Sequence, residues 1–348
     1  LADGAFFAKP ARLLNKSDHV VVTKSPVLGG RMTRFQSAAK PYFSRLATVS
    51  IAAALLAGLT LTIGCTGPRG EVGTEENPLK LFFVPSVDAS LLSDRANVVK
   101  EYLEKKTPYK FKVSVPSSYI AVVEAFGTKR ADIAALNTFG YILANERFGT
   151  EALITVVRYG QDTYKAQIIA KTDGTIKSVS DIQGKKFAFV DPASTSGYLL
   201  PAKLFMDKGV KPSETVFAQK HDNVVTMVYQ GQVDAGATFY SPPEEGKIQD
   251  ARRLVKTQFP DVEKKIKIIE LTEAIPNDPI VFRKDLPAEV KTAVVNALLE
   301  FVKEEKGKET FHDLYGVTAL KAATDKDYDG VRQMLTKLGK TASDLMKK

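Results

Sequence analysis

The residues best placed for chemistry stand in one run, Ser194-Thr195-Ser196-Gly197. They follow an apolar stretch at 187–190 and the break Asp191-Pro192, and they precede Leu200, Leu204 and Phe205 at helical spacing. That pattern predicts strand, loop, helix. A helix start leaves backbone N–H groups unpaired and carries partial positive charge. Hydroxyls turned to the same point, with a glycine that lets an anion approach the backbone, would make an oxyanion cradle. The same residues would also serve as an ordinary N-cap, so the rest of the chain has to decide.

Catalysis is poorly supported. A hydrolase would recruit Ser194 or Ser196 with His221 and an aspartate. The chain has no Gly-x-Ser-x-Gly elbow, and nothing in it fixes a base beside either serine. No Gly-Lys-[Ser/Thr] follows the glycine, so this is not a Walker phosphate loop. Three histidines and one cysteine offer little for a metal site. The expectation is a binding protein with no metal and no cofactor.

The elements that must position the run alternate strand with helix. Strands are predicted at 79–84, 111–115 and 131–136, with helices at 89–106, from 120 and from 138. The plan repeats at 166–275, around 187–190 and 232–238. Such alternation implies sheets flanked by helices, with ligands beyond the carboxyl ends of the strands. Ser86, Ser118-Tyr119 and Asn137-Thr138 stand at those ends. Two similar halves suggest two lobes with a cleft. Lobe 1 is expected from 79–165 and 276–348, and lobe 2 from 166–275, with crossings near 162–170 and 266–282. Amphipathic helices at 287–302 and 328–338 are expected to return to lobe 1.

Charge argues against nucleic acid. Of the net +9, residues 1–64 supply +6, with eight Lys/Arg against two Asp/Glu. No nucleic-acid motif is present. The basic segment reads as a targeting signal. Arg31, Arg34, Lys40 and Arg45 flank an uncharged stretch at 46–64, and Cys65, the only cysteine, follows directly. The layout resembles a bacterial lipoprotein signal, with Cys65 lipidated after cleavage, although Thr62 stands where leucine is usual. A membrane-spanning helix is the alternative. Met32 marks a start that would leave 1–31 outside the signal. Residues 65–78 are expected to be a flexible tether.

Taken together, Pro116-Ser-Ser-Tyr119, Ala131-Asp-Ile-Ala134, Asp191-Pro-Ala-Ser-Thr-Ser-Gly197, His221, Val233-Asp-Ala-Gly236 and Ile275-Pro-Asn-Asp-Pro-Ile-Val-Phe-Arg283 resemble the substrate-binding proteins of bacterial phosphonate, phosphite and phosphate ABC importers over about 79–340. The resemblance implies an α/β, two-lobed periplasmic-binding-protein fold, each lobe a largely parallel sheet flanked by helices. It implies that Ser194, Thr195, Ser196 and the N–H of Gly197 hold phosphorus oxygens, that Tyr119 and Tyr164 line the cleft, that His221 donates to an oxygen and that Asp278 reaches the ligand. Asn137, Thr138, Ser86 and Tyr240 are weaker candidates. Aminoalkylphosphonate binders place a second carboxylate after the Val-Asp strand. Here Phe239-Tyr240-Ser241 occupies that region, which favours phosphite, methylphosphonate or phosphate. The expected partners are a permease and its ATPase, with the protein monomeric and lipid-anchored outside the cytoplasm. An oxyanion sensor, for example for arsenite, reporting to a membrane histidine kinase is the alternative.

Overall fold

The computed structural model describes residues 70–337. The expected leader, Cys65 and the start of the tether lie outside them. From the first described residues the chain forms β1 (Leu79–Phe83), α1 (Ala89–Lys106), β2 (Phe111–Ser114), α2 (Tyr119–Gly127), β3 (Ile133–Ala135), α3 (Thr138–Phe148) and β4 (Glu151–Arg158). The middle section follows with β5 (Thr163–Lys171), β6 (Lys186–Phe189), a π-helical turn at Thr195–Leu199, α4 (Leu200–Asp207), β7 (Glu214–Phe217), α5 (His221–Gln230), β8 (Ala235–Tyr240), α6 (Val262–Lys265) and β9 (Ile266–Pro276). The chain closes with β10 (Pro279–Phe282), α7 (Ala288–Phe301), α8 (Glu305–Tyr315), β11 (Val317–Ala322) and α9 (Asp329–Lys337).

These strands make two sheets, ordered β11-β4-β10-β3-β1-β2 and β7-β6-β8-β5-β9. Pairing is parallel where helices link the strands, β2-β1-β3 in one sheet and β7-β6-β8 in the other. It is antiparallel for β4, β10 and β11, and for β5 and β9. The sheets are therefore mixed, because the strands that lead the chain from one sheet to the other enter and leave in opposite directions. The changeovers are short, at 159–162 and 277–278. Residues 163–171 and 266–276, where strand crossings are expected, are strands of the second sheet.

Local chemistry sets these elements. Asp88 starts α1 by accepting from Ser90 and Leu91 N–H groups, and Lys105 and Lys106 sit in the last turn, against the negative end of the helix dipole. Leu92, Ala96, Val99 and Leu103 bury one face of α1 at helical spacing. With α7 and α8 they cover Leu81, Phe83, Ile133, Ile154 and Phe282 of the first sheet. Fully burying one such side chain is worth about 1.5–3 kcal/mol. Phe187 and Phe189 of the second sheet cluster with Phe205 of α4, the Phe187 and Phe205 rings edge-on at 4.8 Å. The aromatic residues on both sides of the hydroxyl run thus fix it to the sheet.

Two segments differ from expectation. Residues 70–78 form a hydrogen-bonded turn: Gly73 N–H reaches Asn77 O at 2.8 Å and Lys110 N–H reaches Gly73 O at 2.8 Å. Gly73 sits at φ +94 with the Tyr109 ring where a Cβ would be, so the turn docks instead of remaining a tether. The sequence reading also passes over α8 and β11, whose charged exposed faces hide Phe311 and Leu314 in the core.

Candidate binding site

The hydroxyl run forms a tight turn at the end of β6. Val190 N–H donates to Gly197 O at 3.1 Å, and Leu199 N–H reaches back five residues to Ser194 O at 3.0 Å. The wider ring makes the first turn π-helical, a form that collects at functional sites. A Cβ on Gly197 would lie 2.4 Å from the Val190 side chain. Glycine is thus required for the turn to close on the strand. Its N–H is taken by Ser194 Oγ at 3.1 Å. The expected grip of that N–H on a ligand oxygen is therefore replaced by an internal cap.

Thr195 does something local rules do not anticipate. Its Oγ1 accepts from the Phe139 N–H at 2.9 Å and from Asn137 Nδ2 at 3.0 Å. Phe139 lies in the first turn of α3, where N–H groups lack intrahelical acceptors. The Asn137 side chain, which would ordinarily cap α3, instead donates to Ala193 O at 2.8 Å as well. A threonine of the second-sheet region thus caps a helix of the first. Two further helix starts are served in the same way. Tyr119 N–H at the start of α2 reaches Asp191 Oδ2 at 3.4 Å, and His221 N–H at the start of α5 reaches Ser86 O at 3.3 Å. Three helix N-termini, with their partial positive charge, therefore meet where the two sheets face each other.

Between them lies one cavity. Tyr119, Tyr164, Ser194, Ser196, His221 and Asp278 line it, and so do Ser86 and Asn137. Thr195 and Gly197 stand behind its wall. Thr138 is turned away and donates to Pro276 O at 2.7 Å. Tyr240 is not a lining residue, whereas Phe239 and Ser241 are, because alternate strand residues point to opposite faces.

Arg158 and Arg253, which the sequence reading missed, also line this cavity. Arg158 closes β4. Its side chain is 12% exposed, its Nη2 lies 2.5 Å from Asp278 Oδ2, and its Nε donates to Tyr315 O at 2.9 Å. Its guanidinium stacks over the Tyr164 ring at 5.4 Å. Burial opposes its charge, but Asp278 and the surrounding groups hold its pKa up. An arginine ending an otherwise apolar strand was the available signal. Tyr315, which also lines the cavity, went unseen with its helix.

Several buried polar atoms here lack any hydrogen-bond partner: Tyr119 Oη, His221 Nδ1, Arg253 Nε and Asp278 Oδ1. Burial, and secondarily the Arg158 charge, lowers the His221 pKa to about 3, so its imidazole is neutral. Burial likewise raises the Tyr119, Tyr164 and Tyr315 hydroxyls. It also raises Asp191, against the N–H groups of Ala193 and Tyr119. The cavity thus presents neutral donors and two guanidinium groups, one of them paired to a carboxylate.

The model of a family described as ABC transporter, phosphonate, periplasmic substrate-binding protein matches residues 81–328. The chain belongs to this family. It is the extracytoplasmic substrate-binding component of an ABC importer and not an enzyme. Over 313 residues it is 28% identical to the phosphate-import protein PhnD of Mycolicibacterium smegmatis, covering 83% of this chain and 94% of that one. It is 26% identical to the phosphonates-binding periplasmic protein of Escherichia coli, over 67% of this chain and 68% of that one. The fold matches PhnD1 from Prochlorococcus marinus in complex with methylphosphonate, with a TM-score of 0.65 at 20% identity, over 75% of this chain and 98% of that one. Among the described residues no helix is long and apolar enough to cross a membrane.

Proposed function

We propose that this binding protein captures a small phosphorus oxyanion without an amine, namely phosphite, methylphosphonate or phosphate, and delivers it to its permease. The carrying observation is the set of unpartnered polar atoms, Tyr119 Oη, His221 Nδ1, Arg253 Nε and Asp278 Oδ1, on residues that line one cavity. Buried polar groups are rarely left unpaired, and each costs about 1–3 kcal/mol. A compact oxyanion would accept from the Tyr119, His221 and Arg253 groups, and a protonated oxygen on it would donate to Asp278 Oδ1. Ser194, Ser196, Tyr164 and the arginines complete its surroundings, with Thr195 and Gly197 shaping the turn behind. Phe239 and Ser241 supply no carboxylate, and both guanidinium groups oppose an ammonium. The names of the relatives agree with a phosphorus oxyanion as ligand.

Capture is by hinge closure of two lobes, 79–165 with 276–348 and 166–275, about the two short changeovers. The protein works as a monomer, lipid-anchored through Cys65 after loss of 1–64. Calorimetry against phosphate, phosphite, methylphosphonate and 2-aminoethylphosphonate tests the ligand class. The first three should bind and the aminated ligand should be weakest; tightest binding of the aminated ligand would refute it. Mass spectrometry of the mature N-terminus tests the anchor, which an unmodified Cys65 would exclude.

A further inference from the structure

Asp278 stands at the second changeover, between β9 and β10. Its Oδ2 is held by Arg158 Nη2 at 2.5 Å, while Oδ1 is buried and accepts from nothing. A carboxylate oxygen in this position lacks a donor, and no protein group supplies one. The groups facing it are Arg158 on β4, Tyr164 on β5, Tyr119 on α2, Tyr315 on α8 and Tyr328 before α9. The Tyr315 hydroxyl donates to Val84 O and that of Tyr328 to Asn277 O. Arg158 already spends one nitrogen on Oδ2 and another on Tyr315 O.

The Tyr119 hydroxyl is also without a partner and makes no hydrogen bond to Oδ1, so both sites are open to a ligand, and the donor to Oδ1 comes with it. An ammonium would supply it, but Arg158 and Arg253 line the same cavity and repel a cation. An O–H on the anion itself meets no such repulsion. We infer that Asp278 reads a hydrogen on the bound oxyanion, and that the site is therefore built for hydrogen phosphate, which carries two charges and keeps one P–O–H. This rests on the oxyanion reading above and narrows it. Phosphite and methylphosphonate replace one oxygen by hydrogen or methyl. Once doubly ionised they have no O–H, and a bare oxygen then faces the Asp278 carboxylate. Two like charges in contact are strongly unfavourable at a water-poor site. Hydrogen phosphate offers its double charge to Arg253 and to the helix N-termini, and its single O–H to Oδ1.

The test is calorimetry of the parent protein with phosphate, phosphite and methylphosphonate at pH 6 and pH 9. This interval spans the second ionisation of a phosphorus oxyacid, which lies near neutrality. His221 stays neutral and Tyr119, Tyr164 and Tyr315 stay protonated across it, so the ligand's own proton is what changes among these groups. Phosphite and methylphosphonate should weaken by about tenfold for each pH unit beyond their second ionisation. Phosphate should instead strengthen by about tenfold from pH 6, where its singly charged form dominates, and then hold to pH 9. Asp278→Asn replaces the acceptor by an amide that can donate, and it should restore phosphite binding at pH 9. Arg253→Gln should weaken all three and leave their order unchanged. A flat phosphite affinity from pH 6 to pH 9, or a phosphate loss that parallels it, overturns the inference while leaving the oxyanion reading intact. Binding of none of the three at either pH overturns both.

Discussion

Replacing Thr195 by valine tests whether closing the cleft is a matter of capping helices from across it. Valine keeps the shape and removes the hydroxyl. In the structure that leaves the Phe139 N–H without an acceptor and takes one of the two acceptors of Asn137 Nδ2. Both atoms are buried, so neither is compensated by water while the cleft is shut. The Phe139 N–H is the cap donor left unsatisfied, which costs about 1–3 kcal/mol, while Asn137 Nδ2 keeps Ala193 O. That cost falls on the shut form of the proposed hinge alone, because an open cleft would hydrate the same groups. Apparent affinity should then drop by about 5-fold to 150-fold through the population of the closed form.

The assay is calorimetry of Thr195→Val against phosphate, phosphite and methylphosphonate. The drop should be the same factor for each, since the lost bonds are between parts of the protein. Thr195→Ser, which keeps the oxygen, should recover most of it. Asn137→Ala removes part of the same network, so the double variant should lose much less than the two single losses combined. Small-angle scattering should show Thr195→Val remaining expanded at ligand concentrations that compact the parent. Affinities within twofold of the parent, or strict additivity with Asn137→Ala, would refute the capping account.

Three further outcomes follow from the same geometry. Arg158→Gln leaves the half-buried Asp278 carboxylate without its cation, so the variant should lose about 1–3 kcal/mol of stability, read by denaturant unfolding, and bind anions poorly. His221 has a folded pKa of about 3 against 6.5 unfolded; the folded form therefore binds fewer protons in between, and its stability is present above pH 6.5 and lost as pH falls toward 3. The slope is about 1.4 kcal/mol per pH unit, and His221→Asn should flatten this part of the pH–stability curve; an unchanged slope would exclude His221 as its source. Gly197→Ala forces a methyl against Val190, and the overpacking should cost about 1–3 kcal/mol, visible as a lower melting temperature.

How far the sequence carried depends on how local each interaction is. The apolar stretch before Asp191-Pro192 and the helical spacing after Gly197 are neighbours in the chain, and they form β6, the π-helical turn and α4. Ser118 caps α2 from the adjacent position, accepting from Ala121 N–H. By contrast, Thr195 finds its donors 56 and 58 positions away, and Arg158 finds Asp278 at a separation of 120. The rule that hydroxyls cap helices applied to both Ser194 and Thr195. What local pattern could not say is which helix each would cap. Arg158 was passed over for a related reason: a single charge at a strand end reads as solvated until the fold brings Asp278, Tyr164 and Tyr315 around it.

Under the proposed hinge closure, these long-range contacts would make binding and closure one event. Arg158 approaches the cavity from the first sheet, and Arg253 from the segment between β8 and β9 of the second. The N-termini of α2 and α3 come from the first side and that of α5 from the second. With Asp278 already paired to Arg158, the shut cavity holds an excess of positive potential in a poorly hydrated space, where such repulsion is weakly screened. The crossed caps at Thr195, Asp191 and Ser86 favour closure, and that excess opposes it. An anion seated among the unpartnered donors removes the opposition and leaves the caps in force. A neutral molecule of the same size would satisfy some donors without offsetting the charge, so the balance that shuts the cleft selects for charge before it selects for shape.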